Sequence, residues 1–175
     1  MRAAARWAVW LAALLSACAS APPATEPGAA AWITGRLTVK VAATQTQAAQ
    51  AANAAFELRG DAAGGELHLN SPLGTRMASA SWAPGSAVLT TAQGERRFAG
   101  LDELSREALG ESLPLAALPD WLAGRPWPQA PHLVQAAGFE QLGWQVDLQR
   151  LDQGWVEAHR SAPPAVTLRA RIDRL

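Results

Sequence analysis

A regular alternation of apolar and polar residues marks the first clear element of the chain. In the segment Trp32–Ala42, the odd positions from Ile33 to Val41 are apolar or glycine, and the even positions between them are threonine, arginine or lysine. Strict alternation with β-branched residues is typical of a strand that buries one face. The pattern therefore predicts a β-strand over this segment.

Shorter stretches of the same kind recur along the chain, separated by residues that favour turns. The polar segment Thr44–Asn53 is either a long hairpin connection or a short helix. Short strands with turn signals between them predict an antiparallel meander. The further strands are expected around Phe56 and Leu58, around Leu67 and Leu69, over 77–82, as a hairpin within 84–98, and again from His132 onwards, with clear alternation over 144–149 and 166–172.

The meander is interrupted between Gly100 and Pro128, where the apolar spacing becomes helical. Leu101, Leu104 and Ala108 share one helical face, and Gly110 is a good stop signal. A second short helix fits Pro114–Leu122, although Pro119 would interrupt its backbone hydrogen bonding and make it irregular. The sequence thus predicts a mainly β fold with a helical insert.

The N-terminus has the layout of a lipoprotein signal peptide. Two arginines precede an apolar run from Trp7 to Leu15, which is shorter than the about 20 residues that a membrane-spanning helix needs. The motif Leu15-Ser16-Ala17-Cys18 resembles the bacterial lipobox, and Cys18 is the only cysteine. The alternative is that Cys18 is an ordinary residue near a signal-peptidase site. The predicted division is a leader over 1–17, a lipidated Pro- and Ala-rich tether over 18–31, and one domain over 32–175.

Composition and motifs argue against several function classes. The 15 basic side chains equal the 15 acidic ones and form no clustered basic run, so we expect no nucleic-acid partner. The three histidines lie far apart without metal-ligand spacing, and no nucleophile motif or phosphate loop is present, so neither a metal site nor an enzyme is expected. The eight tryptophans can serve either as core residues or as the lining of an apolar cavity.

The stretch "LNSPLGTRM" (69–77) places an apolar residue where a polar one is expected. Pro72 and Gly74 favour a tight turn, which leaves Leu73 at its tip. The leucine can fold back onto the sheet or protrude into solvent.

Taken together, these motifs resemble the LolB family of outer-membrane lipoproteins. The resemblance covers the lipobox at Cys18, the strand "GRLTVKV", the turn in "ELHLNSPLGTRMASASW", the insert "ALGESLPLAALPDWLAGRPWP" and the strand "GWQVDLQRL". Each motif alone is weak, but their order and spacing together are specific.

The resemblance implies a fold and a function. The expected fold is a strongly curved antiparallel sheet, an unclosed half-barrel that encloses an apolar cavity covered by short helices. The expected function is that of a lipid-anchored monomer on the periplasmic face of the outer membrane. It would accept acylated lipoproteins from a LolA-like carrier and insert them into the inner leaflet, with no cofactor beyond the covalent diacylglycerol and N-acyl chain. The alternative is another lipid- or glycolipid-binding envelope lipoprotein with the same half-barrel. The implied site residues are Cys18 for lipidation, Pro72, Leu73 and Gly74 for membrane insertion, and Leu115, Leu118, Trp121 and Leu122 for the cavity cover.

Overall fold

The structure, a computed structural model, describes residues 31–46 and 48–173. The predicted leader 1–17, Cys18 and almost all of the predicted tether lie outside the described residues. Within them the strands are β1 Ile33–Val41, β2 Gln50–Asp61, β3 Gly64–Asn70, β4 Arg76–Ala83, β5 Ser86–Thr91, β6 Gly94–Phe98, β7 His132–Gln135, β8 Gly138–Gln141, β9 Trp144–Asp147, β10 Trp155–Arg160 and β11 Val166–Ile172. The helices are α1 Leu101–Leu109, α2 Leu118–Leu122 and a 3₁₀ turn at Leu151–Gln153.

All the described strands join one antiparallel sheet. Their order is β6-β5-β4-β3-β2-β1-β11-β10-β9-β8-β7. The first six strands therefore run in sequence from the centre to one edge, and the last five run from the other edge back to the centre, where β11 pairs with β1. At the centre, Val39 of β1 pairs with Ala52 on one side and with Leu168 on the other. The sheet is not closed into a barrel, since β6 and β7 are its two edges. The predicted unclosed antiparallel half-barrel is confirmed.

Alternation in the sequence determines which face of each strand is buried. In β11, Val166, Leu168 and Ala170 are buried, whereas Arg169 and Arg171 between and beyond them are exposed. Because successive side chains of a strand point to opposite faces, one face becomes the concave core and the other meets solvent. The alternation that predicted this strand is confirmed.

The strand β2 differs from the expectation for Thr44–Asn53. Its first four residues, Gln50–Asn53, were expected in a connection or a helix, yet they pair with β1 as far as Gln50 opposite Val41. All four side chains are exposed, so no apolar pattern marks them as strand. The backbone hydrogen bonds of a hairpin extend this strand beyond its apolar positions.

The helical insert covers the concave face of the sheet. Helix α1 begins and ends as predicted and packs against β5 and β6, while α2 packs against β2. The second helix is shorter than the predicted Pro114–Leu122, because the residues before Leu118 form turns instead. Pro119 lies in the first turn of α2, where the missing N–H has no helical partner to lose.

Candidate functional site

An apolar cavity of about 300 Å³ lies between the sheet and the helical insert. Strands β1 to β5 and β11 form one wall, and α1, the segment after it and α2 form the other. No charged side chain lines it, and its only polar side chains are three hydroxyls. The lining residues are Leu37, Val39, Ala52, Ala54, Leu67, Leu69, Ala78, Ser79, Ala80, Leu89, Thr91, Leu104, Ser105, Ala108, Leu113, Leu115, Leu118 and Leu168.

Small side chains on the sheet leave this space open. Ala52 lies opposite Val39, Ala78 lies opposite Leu69, and Ala80 also lines the cavity. Protein cores are normally filled to crystal-like density, so alanines on the concave face leave room that the insert does not occupy. A cavity lined in this way suits an apolar ligand better than water, which needs several polar partners.

The four residues expected to cover the cavity separate into two pairs. Leu115 and Leu118 line it, but Trp121 and Leu122 are buried elsewhere under the insert. Trp121 is 1% exposed, and its ring centroid lies 6.1 Å from that of Trp144. The expectation that all four form the cover is therefore corrected, because α2 turns its tryptophan away from the cavity towards β8 and β9.

A buried glutamine that sequence reasoning missed holds the insert on the sheet. Gln141 is 2% exposed, and its Oε1 accepts hydrogen bonds from Trp121 Nε1 at 2.8 Å and from the Trp127 backbone N–H at 2.9 Å. Its Nε2 donates to the carbonyl oxygens of Trp127 and Ala130, both at 2.8 Å. The only signal of its burial in the sequence is the alternation along β8, which places Gln141 on the same strand face as Phe139.

The turn between β3 and β4 presents Leu73 to solvent. Gly74 N–H donates to the Ser71 carbonyl at 2.9 Å, and Ser71 N–H donates to the Thr75 carbonyl at 2.8 Å, which closes a three-residue loop. Gly74 has a φ of 83°, the left-handed conformation typical of the last position in such loops. Leu73 is 93% exposed, so the alternative in which it folds back onto the sheet is wrong.

Polar side chains on the outer face hold the base of this turn. Glu57 on β2 lies 3.2 Å from His68 Nδ1, 3.0 Å from the donating Nδ2 of Asn70, and 3.6 Å from the Arg76 guanidinium. The hydrogen bond from His68, then that from Asn70 and the charge of Arg76, hold the pKa of Glu57 below its ordinary value. Asn70 and Arg76 flank the turn directly, so the network fixes the position from which Leu73 projects.

The turn and the cavity lie at the same end of the sheet. Leu69 and Ala78 both line the cavity, and they pair with each other directly below the turn. Ala52, which is exposed, also contributes to the lining near this end. The exposed leucine is thus adjacent to the apolar space.

Comparison with known proteins identifies the family. The family model described as "Outer membrane lipoprotein LolB" matches residues 32–175. The chain belongs to the LolB family. The relatives named "Outer-membrane lipoprotein LolB" include one from Bordetella petrii, 37% identical over 83% of this chain and 77% of the relative. Another, from Ralstonia nicotianae, is 38% identical over 77% of this chain and 70% of the relative. One from Cupriavidus metallidurans is 32% identical over 91% of this chain and 81% of the relative.

Membership of the LolB family confirms the resemblance drawn from the motifs, and the match covers the predicted domain 32–175. Across the described part of the chain, no three histidine, cysteine or acidic side chains gather in a group that could hold a metal ion. None of the helices in residues 31–46 and 48–173 is both long enough and apolar enough to cross a bilayer.

Proposed function

We propose that this protein accepts acylated lipoproteins from a LolA-like periplasmic carrier and inserts them into the inner leaflet of the outer membrane. The observation that carries the proposal is the apolar cavity, because a protein that moves lipidated cargo through water must cover the acyl chains. Membership of the LolB family supports a role as a lipoprotein receptor in general. The function is non-catalytic and uses no cofactor or metal.

The cavity suits a transient guest. Exposing an acyl chain to water costs about 0.8 kcal/mol per CH₂, so a long chain left bare costs on the order of 10 kcal/mol. The cavity of about 300 Å³ is lined by aliphatic residues and three hydroxyls, and no charged group would have to be desolvated when a chain enters. Its size lies at the lower end of typical ligand sites, about 300–1,000 Å³. A guest only partly enclosed can be released to a membrane.

Leu73 supports a separate insertion step. Full burial of a leucine contributes about 1.5–3 kcal/mol, enough for a brief contact with a bilayer and too little for anchoring. Anchoring is assigned to the lipid on Cys18, whose position in a lipobox motif carries that part of the proposal. The chain acts as a monomer on the periplasmic face of the outer membrane.

The test is a two-stage transfer assay that follows a labelled triacylated lipoprotein. Carrier loaded with this cargo is mixed with the protein, and liposomes are then added. Wild type is compared with Leu73→Glu and with Ala136→Glu, a control that places the same charge in the exposed turn between β7 and β8 at the opposite end of the sheet. We expect all three to take cargo from the carrier and only Leu73→Glu to fail at delivery. If wild type takes no cargo from the carrier, the proposed function is wrong.

A further inference from the structure

A second leucine is exposed at a hairpin tip, and its backbone conformation is unusual. Gln141 of β8 pairs with Trp144 of β9, so Leu142 and Gly143 form a two-residue turn. Their φ values are 55° and 76°, which is the pattern of a type I′ turn. Asn-Gly is strongly preferred in such turns because asparagine tolerates the left-handed conformation, whereas leucine is disfavoured there. Among the described residues, Leu142 is the only non-glycine residue with a positive φ.

The side chain of Leu142 is only partly packed. It is 46% exposed, and its remaining surface contributes to a pocket that is also lined by Trp127 and Trp144 and by the charged residues Asp102 and Arg160. A strained position that keeps a half-exposed leucine suggests a use for the apolar surface itself.

Sheet topology places Leu142 at the same end as Leu73. Strand directions alternate across the antiparallel sheet, so β8 stops at the end where β3 stops. Six strand spacings separate the centre of the β3–β4 hairpin from that of the β8–β9 hairpin, which corresponds to about 29 Å measured along the curved sheet. The two leucines therefore mark two separated points of one end of the half-barrel.

The loops at this end carry no charge. None of the five connections that join strands there contains an aspartate, glutamate, lysine or arginine: 42–49, 71–75, 92–93, 142–143 and 161–165. The strand ends there include Arg76 and Arg160 but no carboxylate, whereas Asp61, Asp147 and Asp173 lie at or just after strand ends at the opposite end. The opposite-end connections 62–63, 84–85 and 136–137 are also uncharged, and only 148–154 contains charged residues, Arg150 and Asp152. Burying a carboxylate against a bilayer is costly, so the end without carboxylates is the one better suited to meet lipid.

We propose that Leu142 is a second membrane-contact residue, which together with Leu73 seats this carboxylate-free end of the sheet on the bilayer surface. The inference rests on the proposed insertion function, because a bilayer is its partner. One contact point leaves the domain free to pivot in every direction, whereas two points about 29 Å apart along the sheet leave only rotation about the line that joins them. The cavity wall directly below the Leu73 turn is then held towards the lipid.

The test separates membrane contact from folding and from cargo transfer. Residues 18–175, which include every described element, carry Cys18→Ala so that no acyl chain anchors the protein. Flotation with phosphatidylethanolamine and phosphatidylglycerol vesicles is measured without cargo, together with the thermal midpoint. The variants are Leu142→Asn and Leu142→Asn with Ala136→Leu, which moves the leucine to the exposed turn between β7 and β8 at the opposite end.

We expect Leu142→Asn to lower the vesicle partition coefficient about three- to tenfold. The same variant should raise the thermal midpoint by about 2–4 °C, because asparagine relieves the strain. Adding Ala136→Leu should not restore flotation. The proposal is overturned if flotation of Leu142→Asn stays within about twofold of wild type, or if Ala136→Leu restores it. It is also overturned if flotation is lost only together with a lowered thermal midpoint, because the loss then reflects unfolding. Since no cargo is present, failure of the carrier-to-protein transfer is a separate result that refutes only the proposed function.

Discussion

Filling the cavity should weaken acyl-chain binding without unfolding the protein. Ala80 on β4 is buried and lines the cavity, whereas Ala83 on the same strand is exposed on the opposite face. Ala80→Leu adds three carbons to space that the structure leaves open. At about 0.8 kcal/mol per buried CH₂, the three carbons could add up to about 2.4 kcal/mol of burial. An overpacking cost of about 1–3 kcal/mol offsets part or all of this gain.

The same three carbons occupy space that an acyl chain would use. Excluding about three methylene groups of the guest weakens binding by about 2.4 kcal/mol, a factor of roughly 50. The assay is titration with a fluorescent long-chain fatty acid, and urea unfolding of each variant reports stability. The matched control Ala83→Leu makes the same chemical change outside the cavity and should leave the affinity within about twofold.

Two results would refute this reasoning. If folded Ala80→Leu binds the probe as tightly as wild type, the cavity does not hold the acyl chain. If Ala83→Leu weakens binding equally, the loss does not come from occupied cavity volume.

Two further predictions concern the parts of the fold that hold the site. Gln141→Leu leaves four buried groups without their hydrogen-bond partner, the Trp121 indole among them. The substitution should lower the free energy of unfolding by about 4 kcal/mol. Denaturant unfolding checks this, and an equal loss in the exposed control Gln145→Leu would contradict it. The pKa of Glu57 is lower in the folded protein than its ordinary value of 4.5. Its hydrogen bond to His68 therefore stabilises the fold fully above pH 4.5, and this stabilisation is lost as the pH falls through the lowered pKa. Glu57 is partly exposed, so Glu57→Gln should cost no more than about 1 kcal/mol at pH 7. The difference in unfolding free energy between wild type and Glu57→Gln should be smaller at pH 3 than at pH 7. An equal difference at both pH values would show that the effect does not come from the ionised carboxylate.

Sequence patterns predicted the strands wherever one face is apolar. In β9, Trp144 and Val146 alternate with exposed neighbours and are buried as expected. The start of β2 escaped prediction because Gln50–Asn53 is paired by backbone hydrogen bonds and buries no side chain. Hydrophobic periodicity reports burial, so a strand exposed on both faces leaves no such signal.

The candidate site was predictable only in part for a similar reason. An apolar residue in the insert can face the cavity or the packed core, and the sequence is the same in both cases. Leu118 faces the cavity while Trp121, three residues later, hydrogen-bonds to Gln141 in the core. The protrusion of Leu73 followed from family resemblance, since the turn residues alone also allowed the side chain to fold back.

The central claim is that the cavity holds the acyl chain of a cargo lipoprotein. Neighbouring alanines on β2 offer a direct test, because Ala54 lines the cavity and Ala55 lies on the opposite face, paired with Asn70. A photoreactive diazirine amino acid is placed at one position or the other, and carrier loaded with lipoprotein bearing radiolabelled acyl chains is added before illumination. We expect the acyl label to cross-link to position 54 and not to position 55. Equal labelling at both positions, or labelling at position 55 alone, would contradict the account.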